Sequence, residues 1–107
     1  MQLKNEFEPI RDWAKERGIF EKGNIDTQFE KLLEEVNELK DGIENKNDEE
    51  IIDAIGDCVV VLTNLANFID VDIEYCINIA YKVIKNRKGV MKNGHFIRDK
   101  TFEKDAK

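Results

Sequence analysis

Two cysteines, one proline and one histidine among 107 residues remove the parts from which several common scaffolds are built. Cys58 and Cys76 have no CxxC or paired-histidine context, so neither a disulfide framework nor a zinc site is expected, and both read as small core residues. The single proline, Pro9, leaves everything after it free to form long helices. No apolar stretch reaches the roughly 18 residues of a membrane span, and Met1-Gln2-Leu3-Lys4-Asn5-Glu6 lacks the apolar core of a signal peptide. The expectation is a cytoplasmic protein without a membrane partner. Solenoid repeats and low-complexity tracts are missing as well.

What is abundant is charge. Charged residues make up 37% of the chain, which favours solvated helices, and the net charge of −6 conceals two opposite halves. Residues 1–81 carry 8 basic and 20 acidic side chains, a balance of −12, whereas residues 82–107 carry 9 basic and 3 acidic, a balance of +6. An acidic body argues against binding a nucleic-acid backbone, which needs lysine and arginine to replace counterions. The basic end suits phosphate groups, so a small metal-bound polyphosphate would satisfy both halves. The length fits one domain, residues 1–107.

Hydrophobic spacing predicts an all-α chain of four helices. Leu3, Phe7, Ile10, Trp13 and Ala14 mark a first helix ending at Gly18, and residues 19–25 read as a loop. Asp26 is the expected N-cap of a second helix with Phe29, Leu32, Val36, Leu39 and Ile43 on one face, broken by Asn45-Lys46-Asn47. Asp48 is expected to cap the third and most apolar helix, which runs to about Phe68. Ile51, Ile52, Ile55, Cys58, Val59, Leu62, Leu65 and Ala66 cover more than half of it, leaving a strip of Glu50, Asp53, Asp57 and Asn64. The run at 58–62, rich in β-branched residues, favours strand locally, but the uninterrupted 3.6-residue period keeps it helical. Asp70 or Asp72 opens a fourth helix ending near Gly89, and residues 90–107 read as a basic, irregular tail. Four short helices leave apolar faces uncovered, so the bundle is expected to be completed by dimerisation or a larger homo-oligomer.

Two carboxylate groups stand out in this pattern. With about 100° between successive helical residues, Glu35 and Glu38 lie about 60° apart, and Glu34/Glu38 and Asp53/Asp57 about 40° apart. Taken alone, Glu34, Glu35 and Glu38 read as a solvated face. Asp53 and Asp57 on the most apolar helix do not. Two carboxylates about 4 Å apart repel by about 4 kcal/mol at an effective dielectric of about 20, so converging acids call for a cation. Facing helices of bundles build metal sites from inward acids of this kind. Di-iron bundles use Glu-x-x-His, whereas His95, the only histidine, lies in the tail; no EF-hand loop is present either. Oxygen ligands alone favour Mg2+, with Mn2+ as a substitute, held by Glu35, Glu38, Asp53 and Asp57, and magnesium implies a phosphate-bearing substrate.

The string Lys31-Leu32-Leu33-Glu34-Glu35-Val36-Asn37-Glu38-Leu39, followed by Asp53-Ala54-Ile55-Gly56-Asp57-Cys58-Val59-Val60-Val61-Leu62, resembles the MazG-like nucleoside triphosphate pyrophosphohydrolases over most of the chain. That resemblance implies a helical-bundle MazG-like fold, homodimers or homotetramers, and magnesium-dependent cleavage of a nucleoside triphosphate to monophosphate and pyrophosphate. It carries Glu35, Glu38 and Asp57 over directly. The family's ExxD element is altered, because Ala54 stands three residues before Asp57. Glu50-Ile51-Ile52-Asp53 matches ExxD literally, but the apolar run that trails the motif follows Asp57, so Asp53/Asp57 is preferred.

The segment Trp13-Ala14-Lys15-Glu16-Arg17-Gly18 and Gln28 are similar to the region of small family members that encloses the nucleotide. Trp13 is left with two roles, stacking on a base or packing as a core aromatic. Gln28 lies one helical edge from Lys31 and Glu35, within reach of substrate or metal shell. Asn64 either orients a substrate hydroxyl or satisfies a buried polar group. The basic segment from Lys85 to Gly94 resembles the one that closes many short family members. Lys85, Arg87, Lys88 and Lys92 there are expected to meet phosphate oxygens, or to form a solubilising helix end. Glu34 is expected to complete the metal shell or accept a proton from water. Two rival readings explain parts of the sequence: a helical interaction module, which leaves Asp57 without a purpose, and a regulator that binds metal nucleotide without hydrolysing it.

Overall fold

The computed structural model describes residues 5–99; Leu3 and the tail beyond Asp99 lie outside the described residues. The chain divides into two compact units, residues 1–74 and 75–107. The fold is all-α with one small hairpin: α1 (Phe7–Glu16), α2 (Ile19–Lys22), α3 (Ile25–Glu44), α4 (Asp48–Phe68), α5 (Ile73–Ile84), β1 (Gly89–Lys92) and β2 (His95–Arg98).

The first unit is built around a helical hairpin of α3 and α4. The α3 N-terminus is capped at Asn24, not at the expected Asp26. Asn24 and Thr27 form a reciprocal capping box in which the Thr27 amide donates to Asn24 Oδ1 at 2.9 Å and the Asn24 amide donates to Thr27 Oγ1 at 3.3 Å. Asp26 is bypassed because it lies inside the first turn, where its charge meets the helix dipole. α4 is capped one residue earlier than expected, by Asn47, whose Oδ1 accepts from the Glu50 amide at 3.2 Å. Between the two helices, Lys46 takes the left-handed φ of 53° and the Asn47 amide donates to the Gly42 carbonyl at 3.0 Å. Gly42 is buried where the hairpin closes. A Cβ there would stand 3.2 Å from Glu50 Cβ and Ile51 Cγ1, so its lack of a side chain sets how closely the helices approach.

α4 also packs against α1 and α2. The closely packed positions are small: Ala14, Ala54, Val61, Thr63, Asn64 and Ala66 are buried, and Thr63 Oγ1 donates to the Val59 carbonyl within the helix. α1 ends before Gly18, which takes a left-handed φ of 77° as the glycine predicts. The stretch expected to be a loop then forms α2, a single turn whose Phe20 packs edge-on against Phe68 at 5.3 Å between ring centroids. That aromatic contact rewards helix in a segment too short to show a period.

Arg11 fastens α1 to the end of the first unit. Its guanidinium donates to both oxygens of Glu74, at 2.6 and 2.8 Å, and also to Glu8, while Asn5 Nδ2 donates to Glu74 at 2.7 Å. Hydrogen bonds from Arg11 and Asn5 hold the Glu74 carboxyl down at about 2, and the bonds to Glu74 and Glu8 raise the Arg11 guanidinium.

α4 corrects one sequence expectation. Over an 18-residue window its mean hydropathy is 1.5, long and apolar enough by length and composition to cross a membrane. Central helices of globular bundles meet the same measure, and α4 lies along α3 with Asp53 and Asp57 among its residues.

In the second unit, residues 89–98 correct the expected irregular tail. Gly89 pairs with Arg98, Val90 with Ile97, Met91 with Phe96 and Lys92 with His95 in an antiparallel hairpin. Asn93 and Gly94 turn it with φ of 52° and 81°, the left-handed pair that a two-residue hairpin loop of matching twist requires. α5 ends at Ile84, five residues before the expected Gly89. Cys76, expected in the core, is exposed on α5.

Candidate metal centre

The register of the α3–α4 hairpin decides which acids meet. Gln28 faces Asn64 and Gly42 faces Ile51, and between those two contacts Glu35 faces Asp57. Carboxylate oxygens of Glu35, Glu38 and Asp57 all lie within 4.8 Å of one another. The three are graded in exposure, with Glu35 only 4% exposed, Asp57 half-buried and Glu38 open to solvent.

Glu35 is the anchor of the group. Lys31 Nζ lies 3.3 Å from its Oε1, whereas Oε2 is buried without a hydrogen-bond partner among the described residues. A buried carboxylate oxygen left unpaired costs free energy that a cation would recover. Burial raises the Asp57 carboxyl above the ordinary aspartate value, and the nearby charges of Asp53 and Glu35 raise it further. The hydrogen bond to Glu35 raises the Lys31 ammonium, with the charge of Glu34 adding to it. Cys58 follows Asp57 but lies outside the group of converging ligand atoms, and burial together with the negative charges of Glu35, Asp57 and Glu38 raises its thiol. The donor set is therefore carboxylate oxygen alone, matched to a hard divalent ion.

Asp53 is placed differently from its partner. It lies outside the three-carboxylate group, on an acidic groove of about 270 Å³ lined by Glu38, Asp41, Glu50 and Asp53. Glu38 thus belongs to both features, and the literal Glu50/Asp53 pair shares the groove.

A cavity of about 610 Å³ adjoins the centre. Trp13, Gln28, Lys31, Glu34 and Asn64 all line it, together with Val60, which was not among the candidate site residues. Val60 also shares a second hollow of about 430 Å³ with Trp13 and Asp57. Its position three residues after Asp57 was the signal for this placement. Asn64 Nδ2 donates to Gln28 Oε1 at 3.1 Å, and Asn64 is 2% exposed, with its own Oδ1 lacking a hydrogen-bond partner among the described residues. Trp13 is 44% exposed, with the Arg17 guanidinium 5.9 Å from its ring centroid, so it forms a wall of both hollows and not a core aromatic.

Lys85, Arg87, Lys88 and Lys92 belong to the second unit. Lys85, Lys88 and Lys92 are exposed and Arg87 is half-buried, in the connection from α5 to the hairpin and at the end of β1.

Residues 24–91, which contain both acidic helices, match the MazG nucleotide pyrophosphohydrolase domain. The chain belongs to that family. It is also 43% identical over 63 residues to an uncharacterized 18.2 kDa protein in the rep-hol intergenic region of Haemophilus phage HP1 (strain HP1c1). The match spans 57% of this chain and 39% of that relative. No solved structure matches the chain. The matched residues include the whole α3–α4 hairpin, and the family is typically metal-dependent, which a cluster of three carboxylates suits.

Proposed function

We propose that this MazG-family chain is a Mg2+-dependent nucleoside triphosphate pyrophosphohydrolase, converting a (deoxy)nucleoside triphosphate and water to the monophosphate and pyrophosphate. The observation that carries the reading is that Glu35, Glu38 and Asp57 bring carboxylate oxygens within 4.8 Å of one another while one Glu35 oxygen is buried without a hydrogen-bond partner among the described residues, beside a cavity of about 610 Å³. Glu35, Glu38 and Asp57 would hold the ion, and Asp53 supplies further negative charge nearby. A bound Mg2+ lowers the pKa of water and offsets the charge that develops on the phosphates.

The chain's own residues do the rest. Trp13 offers its face to the base, and the Gln28–Asn64 pair presents amide hydrogen-bonding groups to base or sugar. Lys31 supplies positive charge to the phosphates. Glu34, exposed on the cavity wall, accepts a proton from the attacking water as its oxygen bonds to the α-phosphorus. The bond from that phosphorus to the α,β-bridging oxygen then breaks, and pyrophosphate leaves with the bonding pair.

A panel of ribo- and deoxyribonucleoside triphosphates, assayed for pyrophosphate with Mg2+ and with chelator, tests the reading. Stoichiometric monophosphate and pyrophosphate with Mg2+ alone is the expected result. Binding without pyrophosphate release would instead favour a regulator, a reading for which Ala54 in the altered ExxD element gives a specific motive.

A further inference from the structure

Lys31 stands between the two halves of the proposed site. Its ammonium lies 3.3 Å from Glu35 Oε1 and 3.6 Å from Glu34 Oε2, and its side chain and that of Glu34 line the same cavity as Trp13, Gln28 and Asn64. The Lys31 side chain is 52% exposed, whereas that of Glu35 is 6% exposed. One end of this contact is therefore buried in the hairpin, and the other is open to solvent. Among the described residues Lys31 is the cation within ion-pair distance of Glu35, whose second oxygen is buried without a hydrogen-bond partner.

We propose that Lys31 is a placeholder cation, paired with Glu35 while the carboxylate centre is empty and displaced by the incoming divalent ion onto the phosphates of the nucleotide. This deepens the reading of the site given above and rests on it. A divalent ion held by Glu35, Glu38 and Asp57 satisfies the Glu35 charge and repels the ammonium beside it. Glu34 remains as its second partner, on the cavity wall, so the displaced lysine is retained where a triphosphate would lie. The lysine then works in opposite directions at two stages. It opposes the metal when metal comes alone and assists the nucleotide once metal is bound, which makes Lys31 a positioning residue that couples the two binding events.

That reversal of sign separates the proposal from a structural role. Lys31→Met removes the charge and keeps the aliphatic stem, and the half-exposed position makes the variant compatible with the fold. Mn2+ is titrated alone into the full chain, with free ion followed by electron paramagnetic resonance. At saturating Mn2+, binding of non-hydrolysable α,β-imido nucleoside triphosphates is followed by calorimetry. Lys31→Met is expected to bind Mn2+ about tenfold more tightly and the analogues about tenfold more weakly, the size of a single close charge in a high-dielectric site. Lys31→Arg is expected to bring both values back toward wild type. Mn2+ affinity that is unchanged or weaker in Lys31→Met, with wild type binding the ion, overturns the proposal and leaves the hydrolase reading standing. Failure of wild type to bind Mn2+ at all overturns both.

Discussion

At the scale of single residues, the acids of the two helices differ in what surrounds them more than in what they are. Glu35 is buried against Lys31, Asp57 is half-buried with its carboxyl raised, and Glu38 is open to solvent between the centre and the acidic groove. Glu35→Gln removes one charge from a crowded set. In the absence of divalent ions this variant is expected to melt higher than wild type, because relief of repulsion from Asp57 and Glu38 outweighs the loss of a half-exposed ion pair. Wild type should gain stability on adding Mg2+ while Glu35→Gln gains none, a difference that thermal melts with and without the ion will show. The family resemblance carried over Glu35, Glu38 and Asp57, whereas helical spacing gave only the pairs Glu35/Glu38 and Asp53/Asp57. Spacing could not separate Asp57 from Asp53, since both share a face of α4 and only the register against α3 determines which one meets Glu35. The burial expected for Cys76 also failed, because a helix's own period identifies its apolar side without showing that anything covers it.

At the scale of elements, the long helices were readable because their apolar periods extend for about twenty residues, whereas their ends depend on single side-chain hydrogen bonds. Asn24 and Asn47 displaced the expected aspartates as caps by having the right partner amide three residues on. Asn47→Ala is expected to cost about 1 kcal/mol, the usual value of an N-cap, in a denaturant titration of the full chain. The hairpin was missed although its turn was written in the sequence. Asn93-Gly94 between two short β-prone runs is a strong local signal, and the basic charge around it drew the reading toward an irregular tail.

The Arg11–Glu74 contact makes a prediction about acid. Glu74 is held at about 2, below the ordinary glutamate value of 4.5, so its contribution is complete above about pH 4.5 and is lost as pH falls toward 2. Glu74→Gln should therefore lower the melting temperature at pH 7 and narrow its gap from wild type over that acid window. A gap that stays constant down to pH 2 would show that the pair does not carry the stability assigned to it.

At the scale of the whole molecule, the single chain leaves many large apolar side chains exposed. Phe29, Val36 and Ile43 on α3, Ile52, Ile55 and Leu62 on α4, and Ile77 and Val83 on α5 are each at least 41% exposed. Surfaces of this kind are usually covered by another protein surface, and a homo-oligomer is the proposed cover. Light scattering at micromolar concentration should give a mass of at least two chains, and a mass of 12.5 kDa would contradict that proposal. The fold class followed from the sequence because charge and period both favour helix. Exact placement of the acids did not, because three-dimensional register is a property of the packed pair of helices.

The central claim is that Glu35, Glu38 and Asp57 share one divalent ion, and crystals of the protein grown with Mn2+ test it most directly through the anomalous signal of the metal. The account predicts a single strong anomalous peak between these three carboxylates, with Lys31 moved away from Glu35. A fully occupied Mn2+ bound elsewhere, with the Lys31–Glu35 pair intact and no peak between the three acids, would contradict it.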